Sequence, residues 1–148
     1  MVDTYVQPNA GENFVILIGN GASPEVFSAP ASINTTRGLK MSTAEKAVEI
    51  PDVTNPSNPA YTARAITAVD WQLDGAGIVN TGDDVTWATW WLTGAKKNVQ
   101  IANSVTGGVV LQGPAVLTDC NLSGDRGDKV MGTITLKGAG LPAVSPHA

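Results

Sequence analysis

Cysteine and histidine are nearly missing from this chain, and their scarcity removes most enzyme chemistry at once. Cys120 is the only cysteine among 148 residues, so neither an intramolecular disulfide framework nor a multi-cysteine zinc site is open to it. It reads as a small, half-buried side chain on a strand. His147 is the only histidine and stands between Pro146 and Ala148, one residue from the last. A Ser-His-Asp or Cys-His arrangement needs its imidazole rigidly held, and a Pro-flanked terminal stretch is a poor place for that. HExxH, GxSxG and P-loop signatures are all missing as well. No catalytic residue, no metal ligand and no cofactor is expected.

Charge is scarce too. Nine basic and thirteen acidic residues give a net charge of -4. Only Lys96 and Lys97 are adjacent among the basic residues, so no basic patch exists to grip phosphates. The apolar share of 43% is too high, and the net charge too small, for a disordered chain. The longest apolar run, Phe14 to Ile18, falls far short of the roughly 20 residues a membrane helix needs. The first residues lack the basic and apolar regions of a secretion signal, so the chain is expected to fold in a cytoplasm.

The remaining carboxylates have bland explanations. Asp70 and Asp74 share a strand face by alternation, but four residues along a strand span about 13 Å, too far for shared ligation. Asp83 and Asp84 precede a helical pattern and suit an N-cap and a first turn. Gly19-Asn20-Gly21 is a turn rather than a dinucleotide fingerprint. Arg126-Gly127-Asp128 spells an adhesion tripeptide, yet it sits where a hairpin turn asks for those residue types.

What is present is mostly strand. Asn13 to Gly19 is a continuous apolar run fitting a strand buried on both faces. Thr35 to Met41 and Ala47 to Val53 are the next candidates. Residues 54–62, rich in Pro and Asn, read as a long exposed loop used for contact. Val69, Trp71 and Leu73 then alternate with Asp70, Gln72 and Asp74, one side buried and one wet. Gly75-Ala76-Gly77 is expected to turn the chain toward a helix. Three further strands follow: Asn98 to Ala102, Ala115 to Leu122 and Lys129 to Lys137, the last two joined by a turn. Residues 1–12 and 141–148 lack a pattern and are expected to be loosely held arms. The expectation is a single domain over 1–148, mainly β: a β-sandwich or barrel of about seven or eight strands with one flanking α-helix near 83–93.

Three of the four tryptophans fall on that helix. Trp87, Trp90 and Trp91 stand at i, i+3 and i+4, with Gly94 to end the helix. Helical spacing puts them on one stripe, which predicts packing of the helix on the sheet, with part of the stripe left for a neighbouring subunit. Exposed aromatics as a carbohydrate platform are the alternative.

The order of these features carries more than any one of them. "VEIPDV" precedes a long polar loop; "VDWQLDGAGI" follows, then "DDVTWATWW", "KKNVQI" and "GPAVLTDCNLSGDRGDKVMGTITLKGAG". From about Phe14 to Gly140 the chain resembles the tail tube (major tail) proteins of long-tailed bacteriophages and gene-transfer particles. That resemblance implies a structural virion protein, not an enzyme, whose copies form stacked hexameric rings. The rings would make a hollow tail that conducts DNA without binding it specifically. It further implies a tape-measure protein and tail terminator and tip proteins as partners, no membrane insertion by this chain, and assembly in the bacterial host cytoplasm. By the same analogy Asn55, Pro56, Ser57, Asn58, Pro59 and Tyr61 are expected at a ring-to-ring contact. Trp87, Trp90 and Trp91 would buttress the outer wall, and Asp70, Gln72 and Asp74 are candidates for the lumen. The alternative to this reading is a carbohydrate-binding or virion decoration module.

Overall fold

The structure is a computed structural model that describes residues 5, 6, 8–21 and 25–148; part of the expected N-terminal arm lies outside them. Eight strands and one α-helix are formed among these residues: β1 (Phe14–Gly19), β2 (Phe27–Ser28), β3 (Thr36–Ile50), β4 (Tyr61–Ile78), α1 (Asp83–Thr93), β5 (Lys97–Asn103), β6 (Val109–Ser123), β7 (Met131–Gly138) and β8 (Ala143–Pro146). The hydrogen-bonded order is β2-β1-β5-β6-β7-β4-β3, with β8 added to β6. Residues 40–71 form one compact unit, and residues 1–39 with 72–148 form the other.

In the larger unit, alternation decides what is buried. Val99 and Ile101 of β5, Leu111, Ala115 and Leu117 of β6, and Ile134 and Leu136 of β7 all point to one side and are buried. Antiparallel registers put them side by side: Ile101 opposite Leu111, Leu117 opposite Leu136. Each strand contributes every second residue, so one slip in register would expose its whole apolar set. β6 and β7 meet through the turn at 124–130, as the alternation and the Gly-Asp-Arg-Gly-Asp composition predict.

Four details depart from the sequence reading. β3 is one strand of 15 residues, not two pieces, so Ser42 to Lys46 are extended as well. Gly75, Ala76 and Gly77 lie inside β4 and do not turn the chain; the bend comes later, at 79–82. Both glycines are there for close approach. A Cβ on Gly75 would stand 2.8 Å from the Ile33 side chain, and one on Gly77 would stand 2.5 Å from the Ser32 carbonyl. Residues 32–34 cross β4 at that point, and Thr35 N–H bonds to the Ala76 carbonyl at 3.0 Å.

The third departure is the C-terminal tail. It is no frayed end: β8 pairs with Val109–Gln112 of β6, and His147 N–H donates to the Gly108 carbonyl at 2.7 Å. The fourth concerns the helix start. Gly82, with φ of 100°, is the N-cap and no side chain caps it. Asp83 and Asp84 occupy the first turn, where their charge still suits the helix dipole. Gly94 closes the helix with φ of 64°, as expected. The Asp83 carboxylate accepts a 2.6 Å bond from the Ser32 hydroxyl, which in turn accepts from Asn80 N–H at 2.7 Å. Ser32 is thereby fully buried with its polar atom satisfied.

Candidate functional site

Among the described residues no group of three or more His, Cys, Asp and Glu side chains comes together to hold a metal ion, and no helix is long and apolar enough to cross a membrane. The features that ask for an explanation are surfaces.

The unit of residues 40–71 is the most exposed part. Every residue from Lys40 to Glu49, and from Tyr61 to Asp70, is exposed, although both stretches are regular strand. Val48, Tyr61, Ile66 and Val69 are among them, each about half exposed or more. Val69 therefore departs from the expected alternation, which had it buried beside Trp71 and Leu73. A two-stranded ribbon with apolar side chains open to water is marginal by itself. Arg64 and Glu45 cross it with an ion pair at 3.6 Å, and at such exposure that contributes little.

The segment expected to make contacts caps this unit. It is ordered around Asp52, a residue the sequence reading passed over. The Asp52 carboxylate accepts bonds from Thr54 N–H at 3.0 Å, Thr54 hydroxyl at 2.8 Å, Asn55 N–H at 3.1 Å and the Asn58 amide at 2.9 Å. Asn58 N–H closes a turn on the Asn55 carbonyl at 3.0 Å, and the Ser57 hydroxyl bonds to the Asn55 side chain at 2.8 Å. Asn55, Pro56, Ser57, Asn58 and Pro59 thus form a preshaped, fully exposed tip; Tyr61 has already entered β4. The signal was available: Asp two residues before Thr and three before Asn is the spacing of an Asx turn.

These bonds favour the charged carboxyl and lower the Asp52 pKa from 3.8 to about 2, the Asn58 amide contributing most, then the Thr54 hydroxyl and the two backbone N–H groups. The folded value lies below the unfolded one. The contribution is therefore complete above the unfolded value and is lost as pH falls through about 2. An NMR titration of the Asp52 carboxyl carbon should give a midpoint near 2, and a midpoint at the ordinary 3.8 would mean the tip is not held this way.

The tryptophan helix divides its rings. Trp87 is 3% and Trp90 is 2% exposed, whereas Trp91 is 59% exposed. Of the expected stripe, Trp87 and Trp90 are packed and Trp91 faces water in the isolated chain. A helix advances about 100° per residue, so Trp87 and Trp90 stand about 60° apart with Trp91 on the far side of Trp87. Trp90 donates its indole N–H to the Ala95 carbonyl at 2.6 Å, and the Lys97 ammonium lies 5.0 Å from its ring centroid. Val85 and Leu92 are also exposed, at 67% and 77%. Beside this side of α1 lies a cavity of about 310 Å³ lined by Ala88, Trp91, Thr118, Asp119, Cys120 and Leu122. Burial and the Asp119 charge push the Cys120 thiol above its usual pKa, so it is not an activated nucleophile. One open ring does not make a carbohydrate platform, which needs a row of them.

The polar strand face is partly assembled. Gln72 and Asp74 are half-buried on the side of β4 opposite Leu73. The Asp74 carboxylate accepts from the Gln72 amide and from the Thr135 hydroxyl of β7, both at 3.1 Å. Asp70 belongs to the other unit, where its carboxylate accepts from Trp71 N–H at 2.9 Å. Thr135 was legible only as one of the outward residues of its strand.

Among the described residues, an all-antiparallel sheet with one α-helix and an exposed ribbon fits a building block. Residues 8–144 match the sequence profile described as phage tail tube protein. No curated protein sequence gives a significant match. Among solved structures, the chain resembles one from the virion of a native gene transfer agent particle, at 15% identity and a TM-score of 0.65, covering 93% of this chain and 99% of that one. It resembles a chain from the tail of an empty gene transfer agent particle with C6 symmetry, at 17% identity and a TM-score of 0.63, covering 95% and 100%. The SPP1 tail tube gives a TM-score of 0.68 at 12% identity, covering 95% of this chain and 80% of that one. At such identities the likeness is one of fold, and the profile match over nearly the whole length settles the family. The chain belongs to the phage tail tube protein family and is a structural component of such a tube.

Proposed function

We propose that six copies of the chain close into a ring and that rings stack into a hollow tail tube through which DNA passes into a host. The family match over residues 8–144 carries this reading, and the C6 symmetry of the similar gene transfer agent tail supports the number of copies. The fold supplies the means. β3 ends the strand order with a long edge, and an unpaired edge of that length is a template for another strand. Pairing between copies satisfies it and continues the sheet around the ring.

We assign Asp70, Gln72 and Asp74 to the lumen. An acidic chain with a net charge of -4 and no basic patch repels phosphates, so DNA slides without specific binding. A tape-measure protein within the tube, and terminator and tip proteins at its ends, complete the partners. The role is structural, with no reaction to catalyse; the site of action is the virion tail, built in the host cytoplasm.

The tip at Asn55, Pro56, Ser57, Asn58 and Pro59, with Tyr61 at its base, is assigned to the ring-to-ring contact. Its exposure and its preformed turn support that, because an ordered tip loses little entropy on docking. Deleting Asn55 to Asn58 should leave the circular dichroism spectrum and unfolding midpoint close to wild type while abolishing tube elongation. Normal tubes from the deleted protein would remove the tip from the contact.

A further inference from the structure

Two surfaces stand uncovered among the described residues, and their chemistry is complementary. The first is one face of the ribbon. Alternation places Lys40, Ala44, Lys46 and Val48 on one side of β3, and Tyr61, Ala65 and Val69 on one side of β4. The Arg64–Glu45 ion pair joins the two opposite sides, so the first two sets share the other face. That face is mostly small or apolar, carries two ammonium groups and has no carboxylate. Its partner side holds Glu45, Glu49, Arg64 and Asp70.

The second surface is the open side of α1 with the cavity against β6. Trp91, Leu92 and Val85 are exposed there, and Asp119 and Leu122 line the cavity. Within α1 the only charges are Asp83 and Asp84, so this surface is apolar with acids and no helix-borne cation.

We propose that the Lys40–Lys46 face of the ribbon in one copy docks on the α1–β6 groove of the next copy, with the Lys46 ammonium directed at the Asp119 carboxylate. The inference rests on self-assembly of the chain and goes beyond it by naming both surfaces. Two different patches of one protein meeting in this way make a heterologous contact, the kind that closes rings or propagates stacks. Apolar area supplies the attraction and the Lys–Asp match fixes the register. Trp91, open in the isolated chain, is then a central anchor of the contact.

Cys120 makes the proposal testable, since it lines the groove and is the only cysteine. The full-length Lys46→Cys variant, oxidised with copper phenanthroline under assembling conditions, should give a ladder of disulfide-linked multimers on a non-reducing gel. Adding Cys120→Ser should abolish the ladder, and Glu45→Cys, on the opposite face, should give none. Lys40→Cys serves as the second probe should Lys46→Cys fail to fold. In a charge-reversal series, Lys46→Glu should raise the concentration needed for assembly on the order of tenfold, and Asp119→Lys in the same chain should restore it. Assembly without a ladder, or equal linking from Glu45→Cys, overturns this docking and leaves the tube reading intact. A wild-type chain that stays monomeric at every concentration overturns both.

Discussion

Trp90→Ala should lower the folding stability of the chain by about 3–5 kcal/mol, while Trp91→Ala should lower it by less than about 0.5 kcal/mol. The two residues are neighbours in sequence and identical in type, so the contrast isolates burial. Trp90 is 2% exposed, and its removal empties a space of about 200 Å² of contact surface. It also strands the Ala95 carbonyl, which loses a 2.6 Å donor just past the end of α1. The Lys97 ammonium loses the ring face it sits over. Trp91 makes no comparable commitment within its own chain, being 59% exposed. Its loss should appear only in assembly, where the α1–β6 groove loses its largest apolar group. Urea unfolding followed by far-ultraviolet circular dichroism measures the first effect and sedimentation velocity the second. Equal destabilisation by the two substitutions would contradict the assignment of the buried side of α1.

Gly77→Ala should cost about 1–3 kcal/mol from overpacking, with more from broken hydrogen bonds. The added methyl would stand 2.5 Å from the Ser32 carbonyl and 2.7 Å from Asn34 N, and would also meet the Asn34 side-chain oxygen. None of these neighbours can retreat cheaply. Asn34 donates to the Ala31 and Ile78 carbonyls at 2.9 and 3.0 Å and accepts from Ile78 N–H at 3.1 Å. Ser32, one step away, holds Asp83 and Asn80 and so sets the entry to α1. Displacing this crossing therefore loosens the junction between β4 and the helix. Gly38→Ala is the matched control, because nothing lies within 4 Å of its added Cβ. It should keep or raise the wild-type midpoint. A Gly77→Ala midpoint equal to that of Gly38→Ala would mean residues 32–34 do not cross as described.

Much of this was legible in the sequence wherever a residue answers to its own strand or helix. The β6–β7 hairpin followed from alternation and a turn of Gly, Asp and Arg, and the end of α1 followed from Gly94. Reading failed where the reason lies elsewhere in the chain. Gly75 and Gly77 look like a turn until Ile33 and Ser32, more than forty residues earlier, are seen against them. The middle of β3, Ser42 to Lys46, gives no burial signal, because Ala44 is its one apolar residue and all five side chains are exposed. The C-terminal strand was missed because its partner, Val109–Gln112, lies between Gly108 and Pro114 and was not among the strands read from the sequence. Helical spacing grouped three tryptophans correctly on one half of α1 but does not say how wide the covered strip is. As for function, the tip residues were legible as exposed; Asp52, which shapes them, was not singled out.

Copies of this chain joining into rings and tubes is the central claim, and negative-stain electron microscopy of the purified protein at rising concentration tests it most directly. The account predicts rings, then tubes of one uniform diameter, growing in number with concentration. A field of monomers at the highest soluble concentration, or aggregates without a fixed diameter, would contradict it.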